Sequence, residues 1–332
     1  MSELKIGFIG VGGVAQPHLK NLSAMDGVRV SAVCDAFADR AKEVGENYSA
    51  AVYTDYQQML ETEQLDGVYV CLIPGVHGTT ELDLAQKGVP FYIEKPVHLE
   101  LDACQKVLDQ LEKSPVINSV GYHWRYGKGS QAVKKFLQGR QISVVQGYWD
   151  GGFVGAPWWR QEKLSGGQLV EQATHIVDLA RYLAGEVKSV YASASTGAMS
   201  EIENYDITDA SITTLNFESG AVGFVSTNCI AEGVEGSSKV DLIVKGRGFN
   251  AFTNSDKGEW NSKEGGKGEE SGGQPWADQL GNGDRAFIAA IRAGDQSQII
   301  ADYRSGTQTL ALTLAATESM KTGEVVTVRR FV

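Results

Sequence analysis

Residues 6–9, a short apolar run, lead straight into Gly10-Val11-Gly12-Gly13-Val14-Ala15, and a second apolar run ends in Asp35, 25 residues after Gly10. No other feature restricts the fold as strongly. A G-x-G-x-x-A loop between a strand and a helix, with an acidic residue closing the next strand, is the fingerprint of a dinucleotide-binding βαβ unit. Gly10 permits the tight turn, and Gly12 lets a pyrophosphate approach the backbone. Ala15 lets helix and strand pack closely. Gly13 and Val14 belong to the same loop, where the helix N-terminus offers free N–H groups and a partial positive charge. Pro17 is tolerated in the first helical turn. Asp35 is placed to accept hydrogen bonds from the adenosine ribose and to repel a 2′-phosphate. NAD is therefore the expected cofactor, with NADP as the alternative, because Arg40 lies one turn into the next helix. The competing reading is a Gly-rich turn in a sheet protein that binds no nucleotide.

The surrounding pattern supports the βαβ reading. Apolar, β-branched runs at 6–9, 28–34, 67–72, 90–93 and 116–120 alternate with amphipathic stretches at 13–25, 37–49, 55–62, 78–87 and 99–113. Such alternation predicts a parallel sheet covered on both faces. After about residue 120 the pattern changes. A short helix is predicted at 131–139, a strand at 142–150, and a longer helix at 167–183 with Leu169, Ala173, Ile176, Ala180 and Leu183 on one face. Strands follow at 187–195, 207–217, 220–229, 238–245 and 248–253, separated by tight turns that imply antiparallel pairing. Residues 254–283, rich in Gly, Ser, Glu and Lys, read as a long surface loop or flap. Helices at 284–293 and 302–321 and a closing strand at 325–328 complete the chain. The expected fold is α/β: an N-terminal Rossmann domain over 1–121 and an α+β domain with a large, mostly antiparallel open sheet over 122–332.

Composition bounds the partners. The chain has 332 residues, enough for about two domains, with 30 Lys and Arg against 41 Asp and Glu, a formal charge of −11. That balance argues against nucleic acid or an anionic membrane as the main partner. No apolar run approaches the ~20 residues needed to cross a bilayer. The 4 cysteines show no C-x-x-C pair, so neither a disulfide framework nor a metal site is expected, and a cytoplasmic setting is.

Two further segments carry chemistry. Tyr92-Ile93-Glu94-Lys95-Pro96 closes the strand predicted at 90–93, and Gly166-Gly167 opens a run containing Glu171, Gln172, His175 and Asp178. Together with the fingerprint, these segments resemble the Gfo/Idh/MocA oxidoreductases, the group of glucose–fructose oxidoreductase and inositol dehydrogenase. Asp55-Tyr56, Ile73-Pro74-Gly75-Val76-His77 and Gly121-Tyr122-His123-Trp124-Arg125-Tyr126 resemble further segments of that family, so the likeness covers nearly the whole chain. The resemblance implies that Lys95 contacts the nicotinamide ribose and the reacting hydroxyl. It implies that His175 is the acid/base, and that Pro74, His77 and Glu94 lie at the cofactor, loop packing being an equal reading for His77. Family members usually carry Asp four residues before that His. Glu171 stands there instead, followed by Gln172. On a continuous helix Glu171 and His175 share a face, and three roles stay open: Glu171 contacts substrate, Glu171 orients His175, or Gln172 takes its place.

The residue types suit alcohol oxidation. An imidazole can accept a hydroxyl proton near neutral pH, and an ammonium stabilises the developing alkoxide. His123, Arg125, Trp158, Trp159 and Arg160 form the expected substrate face, since aromatic faces stack on sugar rings and polar groups bond hydroxyls. Each Trp has core packing as its alternative. Asp178 is expected to hold the helix or a neighbouring Arg, and His18 and His98 to be structural. The expected function is an NAD(P)-dependent dehydrogenase acting on a secondary hydroxyl of a sugar, sugar derivative or cyclitol. The alternatives are an NAD-retaining redox-assisted glycosidase or epimerase, and a non-catalytic dinucleotide-binding sensor. The open sheet face points to a homodimer or homotetramer.

Overall fold

The computed structural model describes residues 3–231, 237–273 and 276–331, the side chains of 276–278 apart. Its first half follows the alternation of the sequence. Strand β1 (Leu4–Ile9) is followed by α1 (Ala15–Ser23), β2 (Val28–Cys34), α2 (Ala38–Tyr48) and β3 (Ala51–Tyr53). Then come α3 (Tyr56–Thr62), β4 (Gly67–Val70), α4 (Thr80–Lys87), β5 (Phe91–Ile93), α5 (Leu101–Lys113) and β6 (Asn118–Val120). The six strands form one parallel sheet in the order β3-β2-β1-β4-β5-β6. Local chemistry sets the boundaries. The Asp55 carboxylate accepts the Gln57 N–H at the start of α3, a side-chain cap of the usual kind. Gly88 adopts a left-handed conformation where α4 ends, as a helix C-terminus favours. Along α1 the buried residues are Ala15, His18, Leu19 and Leu22, the i, i+3, i+4, i+7 stripe of a core-facing helix.

The second half opens with α6 (Lys128–Leu137), β7 (Ile142–Asp150), α7 (Glu162–Ser165), α8 (Gln168–Glu171) and α9 (Thr174–Ala184). It continues through β8 (Val187–Ser195), β9 (Ala210–Phe217), β10 (Val222–Asn228), β11 (Lys239–Gly246), β12 (Phe249–Thr253), β13 (Lys257–Ser262) and β14 (Gly266–Ser271). Helices α10 (Trp276–Ala293) and α11 (Tyr303–Thr322) and strand β15 (Val326–Thr327) end it. Among the described residues the second sheet has nine strands in the order β14-β13-β12-β11-β7-β10-β9-β8-β15. Every pairing in it is antiparallel except β7 with β10. Both sheets are of the kind expected from the sequence, one parallel and one mostly antiparallel, although β3 lies outside the predicted strand runs.

Three expectations change. The chain divides into a first unit of Met1–His123 with Pro275–Tyr303, and a second of Trp124–Gln274 with Arg304–Val332. The single boundary at 121/122 therefore gives way to a returning segment. The reason is apolar: Phe287 and Ile288 of α10 are buried in the core formed by Ile6, Phe8, Leu19, Leu22, Tyr69 and Tyr92. Each such side chain contributes roughly 1.5–3 kcal/mol on burial. Next, 254–283 is not a loop over its described residues. It contains the hairpin β13–β14 and the N-terminal part of α10, while 274 and 275 lie outside the described residues. Its glycines suppress strand propensity, yet they serve the sheet. A Cβ on Gly268 would meet the Trp260 ring at 2.4 Å, and Trp260 stacks on Phe136 of α6 at 5.7 Å. The polar residues belong to β14, the edge strand, which is largely exposed. Finally, the helix expected at 167–183 is broken between α8 and α9. The N–H groups of Gln172 and Ala173 both donate to Gln168 O, at 2.9 Å each. This wide turn replaces the regular i→i−4 ladder, so Glu171 and His175 do not share the face of one continuous helix.

Candidate active site

In the first unit the fingerprint forms a cradle. Gly10 has φ +83°, and a Cβ there would lie 2.5 Å from Cys71 O, so both conformation and space require glycine. A Cβ on Gly13 would meet nothing within 4 Å, and one on Gly12 only Arg40 Nη1 at 3.9 Å. The backbone at 12–13 is therefore uncrowded by side chains, at the N-terminal end of α1, the kind of place where phosphates bind. Val14 is the residue preceding that helix. Asp35, almost fully buried, closes the cradle. Its Oδ2 accepts the Val11 N–H at 3.0 Å and its Oδ1 the Phe37 N–H at 2.9 Å. Arg40 Nη1 donates to the same carboxylate at 3.2 Å, and its guanidinium lies 4.7 Å from the centre of the exposed Phe37 ring. These residues fit a dinucleotide: an open phosphate turn, and a carboxylate at the end of β2.

At the end of β5 the carboxylate of Glu94 is engaged on both oxygens. Oε1 lies 3.1 Å from His18 Nε2, and Oε2 accepts the Lys95 N–H at 3.2 Å. His18 Nδ1 lies 2.6 Å from Asp284 Oδ1. Asp284 also accepts from Tyr69 Oη at 3.1 Å and Asn21 Nδ2 at 3.0 Å. Burial alone would push His18 down, but Asp284 and then Glu94 overcome it and raise its pKa to about 10. The ring is an imidazolium donating to both carboxylates. Pro74 begins a short 3-10 turn and is buried. His77 Nδ1 lies 2.6 Å from Glu81 Oε1, and its buried Nε2 has no hydrogen-bond partner among the described residues. His123 is buried too, and burial lowers its pKa to about 4, against the opposing pull of Glu94. It is a neutral imidazole at neutral pH.

In the second unit His175 lies in the first turn of α9 and is 6% exposed. Its ring stacks with Trp124, 5.4 Å between centroids and 14° between planes, and with Trp149, 5.9 Å and 20°. No spacing in the sequence sets these two indoles beside the histidine. The only hint was the position of Trp149 at the end of a predicted strand. Glu171 Oε2 accepts the indole N–H of Trp159 at 2.8 Å. Two of the expected substrate contacts are engaged within the protein. Trp159 is fully buried with Ile207 and Cys229, so its ring has no face to offer a ligand. Arg125 donates through Nε and Nη2 to Asp178 at 2.7 and 2.6 Å, which commits its fork to a buried bidentate pair. Asp178 accordingly holds the neighbouring Arg, as expected. Trp158 and Arg160 are half-buried. Arg160 Nε and Gln172 Oε1 are buried atoms without a hydrogen-bond partner among the described residues, as are Gln168 Oε1 and Asn228 Oδ1. Buried polar atoms of this kind call for a partner.

Comparison with known proteins agrees with both units. The family model described as "Oxidoreductase family, NAD-binding Rossmann fold" matches residues 4–122, and the "GFO/IDH/MocA C-terminal domain" matches 139–247. The myo-inositol 2-dehydrogenase of Thermotoga maritima is 27% identical over 228 residues, covering 68% of each chain. The scyllo-inositol 2-dehydrogenase (NAD(+)) of Bacillus subtilis is 27% identical over 232 residues, 68% of this chain and 67% of that one. Among solved structures, a levoglucosan dehydrogenase in complex with NADH superposes with a TM-score of 0.88 over 99% of this chain and 100% of that chain, at 19% identity. At that identity the likeness is one of fold. With a fingerprint cradle in its first unit, and family matches spanning both halves, the chain belongs to the Gfo/Idh/MocA family of NAD-binding oxidoreductases.

Proposed function

We propose that the protein is an NAD(P)-dependent dehydrogenase acting on a secondary hydroxyl of a sugar, sugar derivative or cyclitol, with Lys95 and His175 as its catalytic pair. The observation that carries the reading is the end of β5, where the Lys95 backbone is bound to a doubly engaged Glu94 carboxylate in the same unit as the open fingerprint turn. The substrate classes named for relatives, inositols and levoglucosan, point the same way. In oxidation, His175 takes the hydroxyl proton and Lys95 Nζ steadies the oxygen as it becomes alkoxide-like. The bound nicotinamide supplies the hydride acceptor. The alcohol carbon loses hydride and its oxygen loses a proton, leaving a ketone. Gln172 and Arg160 are the substrate ligands favoured here, because each presents a buried polar atom without a partner among the described residues.

The test is a cofactor-reduction screen against inositols, hexoses, anhydro sugars and amino sugars with NAD and NADP. Lys95→Ala and His175→Ala should each lower kcat about 100-fold, roughly 2.7 kcal/mol, with unchanged circular dichroism. Near-normal turnover in both variants would overturn the reading. Net NADH formation separates a dehydrogenase from an enzyme that oxidises transiently and reduces again.

The second sheet also supports a homodimer or homotetramer. Tyr191 of β8, Ile212 of β9 and Val222 of β10 are 41%, 58% and 53% exposed, and β9 alternates buried and exposed residues along its length. A second copy is the natural cover for such a face. Light scattering that reports a monomer would refute it. No helix among the described residues is long and apolar enough to cross a membrane, and the cytoplasm is the proposed location.

A further inference from the structure

The mechanism proposed above uses Lys95 but leaves unexplained the buried ion cluster behind it. His18, Glu94 and Asp284 are 0%, 4% and 0% exposed, and they bring one cation against two carboxylates. Burying three ionisable groups is costly, and replacing such a cluster by apolar side chains often leaves stability unchanged or raises it. The fold of the first unit therefore does not need these charges for its own sake. Their geometry suggests what they do. Glu94 Oε1 receives His18, Glu94 Oε2 receives the Lys95 N–H, and the carboxylate is pressed against Gly121. A Cβ at 121 would sit 2.3 Å from Glu94 Oε1. The Glu94 side chain is thus fixed by a charged donor at one oxygen and by backbone on another side. His18 is fixed in turn by Asp284, which is itself held by Tyr69 and Asn21. His18 also sits on α1, the helix whose N-terminus closes the fingerprint turn.

We propose that His18 is a positioning residue for Lys95: clasped between Asp284 and Glu94, it fixes the Glu94 carboxylate, which holds the Lys95 backbone and so sets where the ammonium points. One imidazolium thereby ties the phosphate-binding helix, the end of β5 and α10 together. The inference rests on the reading of Lys95 as catalytic only for its consequence in turnover, and not for the positioning itself.

The test separates the two. Competitive acetylation with acetic anhydride, read by peptide mass spectrometry, reports the reactivity of each lysine without any substrate. His18→Gln removes the charge while keeping a donor, and should change the Lys95 rate about 5-fold or more. Lys42, 72% exposed in its side chain, serves as the internal reference and should not move. Gly121→Ala reaches the same carboxylate from the other side, leaves His18 and Asp284 chemically intact, and should change Lys95 in the same way. It keeps the test decisive if His18→Gln fails to fold. A Lys95 rate equal to wild type in a folded variant overturns the proposal. In turnover, His18→Gln should lower kcat about 10-fold in the wild-type background and less than about 3-fold in Lys95→Ala, the non-additivity of residues acting through one another. Equal losses in both backgrounds would mean general destabilisation and would also overturn it. If Lys95→Ala alone keeps full kcat, the catalytic reading of Lys95 fails while the acetylation result still decides the positioning.

Discussion

Each unit buries a charged cluster, and the two are built on opposite plans. In the first, one imidazolium, His18, serves two carboxylates, Asp284 and Glu94. In the second, one deeply buried carboxylate, Asp178, serves two guanidiniums. Arg125 binds it through two hydrogen bonds, Arg181 Nη1 lies 3.9 Å away, and Thr309 Oγ1 donates at 2.8 Å. Arg181 continues to Glu186, with Nη2 2.7 Å from Oε1. A guanidinium cannot shed its proton inside a protein, whereas an imidazole can. The second cluster is therefore permanent, and the first is conditional on a proton. The permanent one anchors α9, the helix carrying His175, to α11. The conditional one stands behind Lys95.

Removing one carboxylate from each cluster should expose that difference most strongly. Asp178→Ala leaves Arg125 buried without its carboxylate and Arg181 with Glu186 alone, and a broken buried pair of this kind costs about 3–5 kcal/mol. Asp284→Ala should cost less, about 1–3 kcal/mol, because Glu94 still pairs with His18 and the imidazole can also respond by losing its proton. Urea denaturation of the two variants gives the ranking directly. If Asp284→Ala proves the more damaging, the distinction between permanent and conditional cations is wrong.

A smaller effect follows from titration within the first unit. His18 has its pKa raised to about 10, above the ~6.5 of an unfolded histidine. Its stabilisation is complete below pH 6.5 and is lost as pH rises towards 10. His123 has its pKa lowered to about 4 by burial. Between pH 6.5 and 4 the unfolded chain takes up a proton that the folded chain refuses, so stability falls as pH falls through that window. Each slope is bounded by one proton, about 1.4 kcal/mol per pH unit. The two residues therefore shape opposite limbs of the stability curve. His18→Gln should flatten the alkaline limb between 6.5 and 10, and His123→Gln the acid limb between 6.5 and 4. Parallel curves for wild type and both variants, from denaturant midpoints against pH, would show that neither histidine holds the charge state assigned to it.

These clusters also mark how far the sequence could be read. The fingerprint, the Asp35 offset and the strand alternation are local, and local spacing is what a chain displays openly. His18 displays itself only as a polar residue on the buried stripe of α1. Its partner Asp284 lies 266 residues away, and nothing near either residue announces the other. Arg125 was read by its place in a family segment, and a substrate role suited it. Its fork instead meets Asp178, 53 residues on. The break at Gln172–Ala173 escaped notice because it involves no Gly or Pro. A helix can widen by one residue without any breaker, and only the hydrogen bonds reveal it. Trp158 and Trp159 are equivalent in composition, and which of them is enclosed depends on Ile207 and Cys229. The β13–β14 hairpin hid behind its glycines, which read as a loop until Trp260 was found lying over Gly268.

The smallest effect concerns a third charged pair, which neither buried cluster resembles. Arg40 is 45% exposed in its side chain where it meets Asp35, so the pair is worth little to stability. Its consequence is selectivity. Asp35 draws Arg40 back onto the cradle and also presents negative charge where a 2′-phosphate would lie. Asp35→Ser removes the repulsion and releases the guanidinium in the same step, with Arg40 still resting on Phe37. A charge-assisted bond to the freed Arg40 is worth about 1.5–3 kcal/mol, or roughly 10–100-fold in affinity. Calorimetric titration should then show NADP binding tighter by that factor, and NAD weaker through loss of the ribose contact. The double variant Asp35→Ser with Arg40→Ala should lose the NADP gain and keep the NAD loss. If NADP binds no better to Asp35→Ser, Arg40 does not reach the 2′-position. The preference for NAD would then rest on the shape of the turn and not on the charge of Asp35.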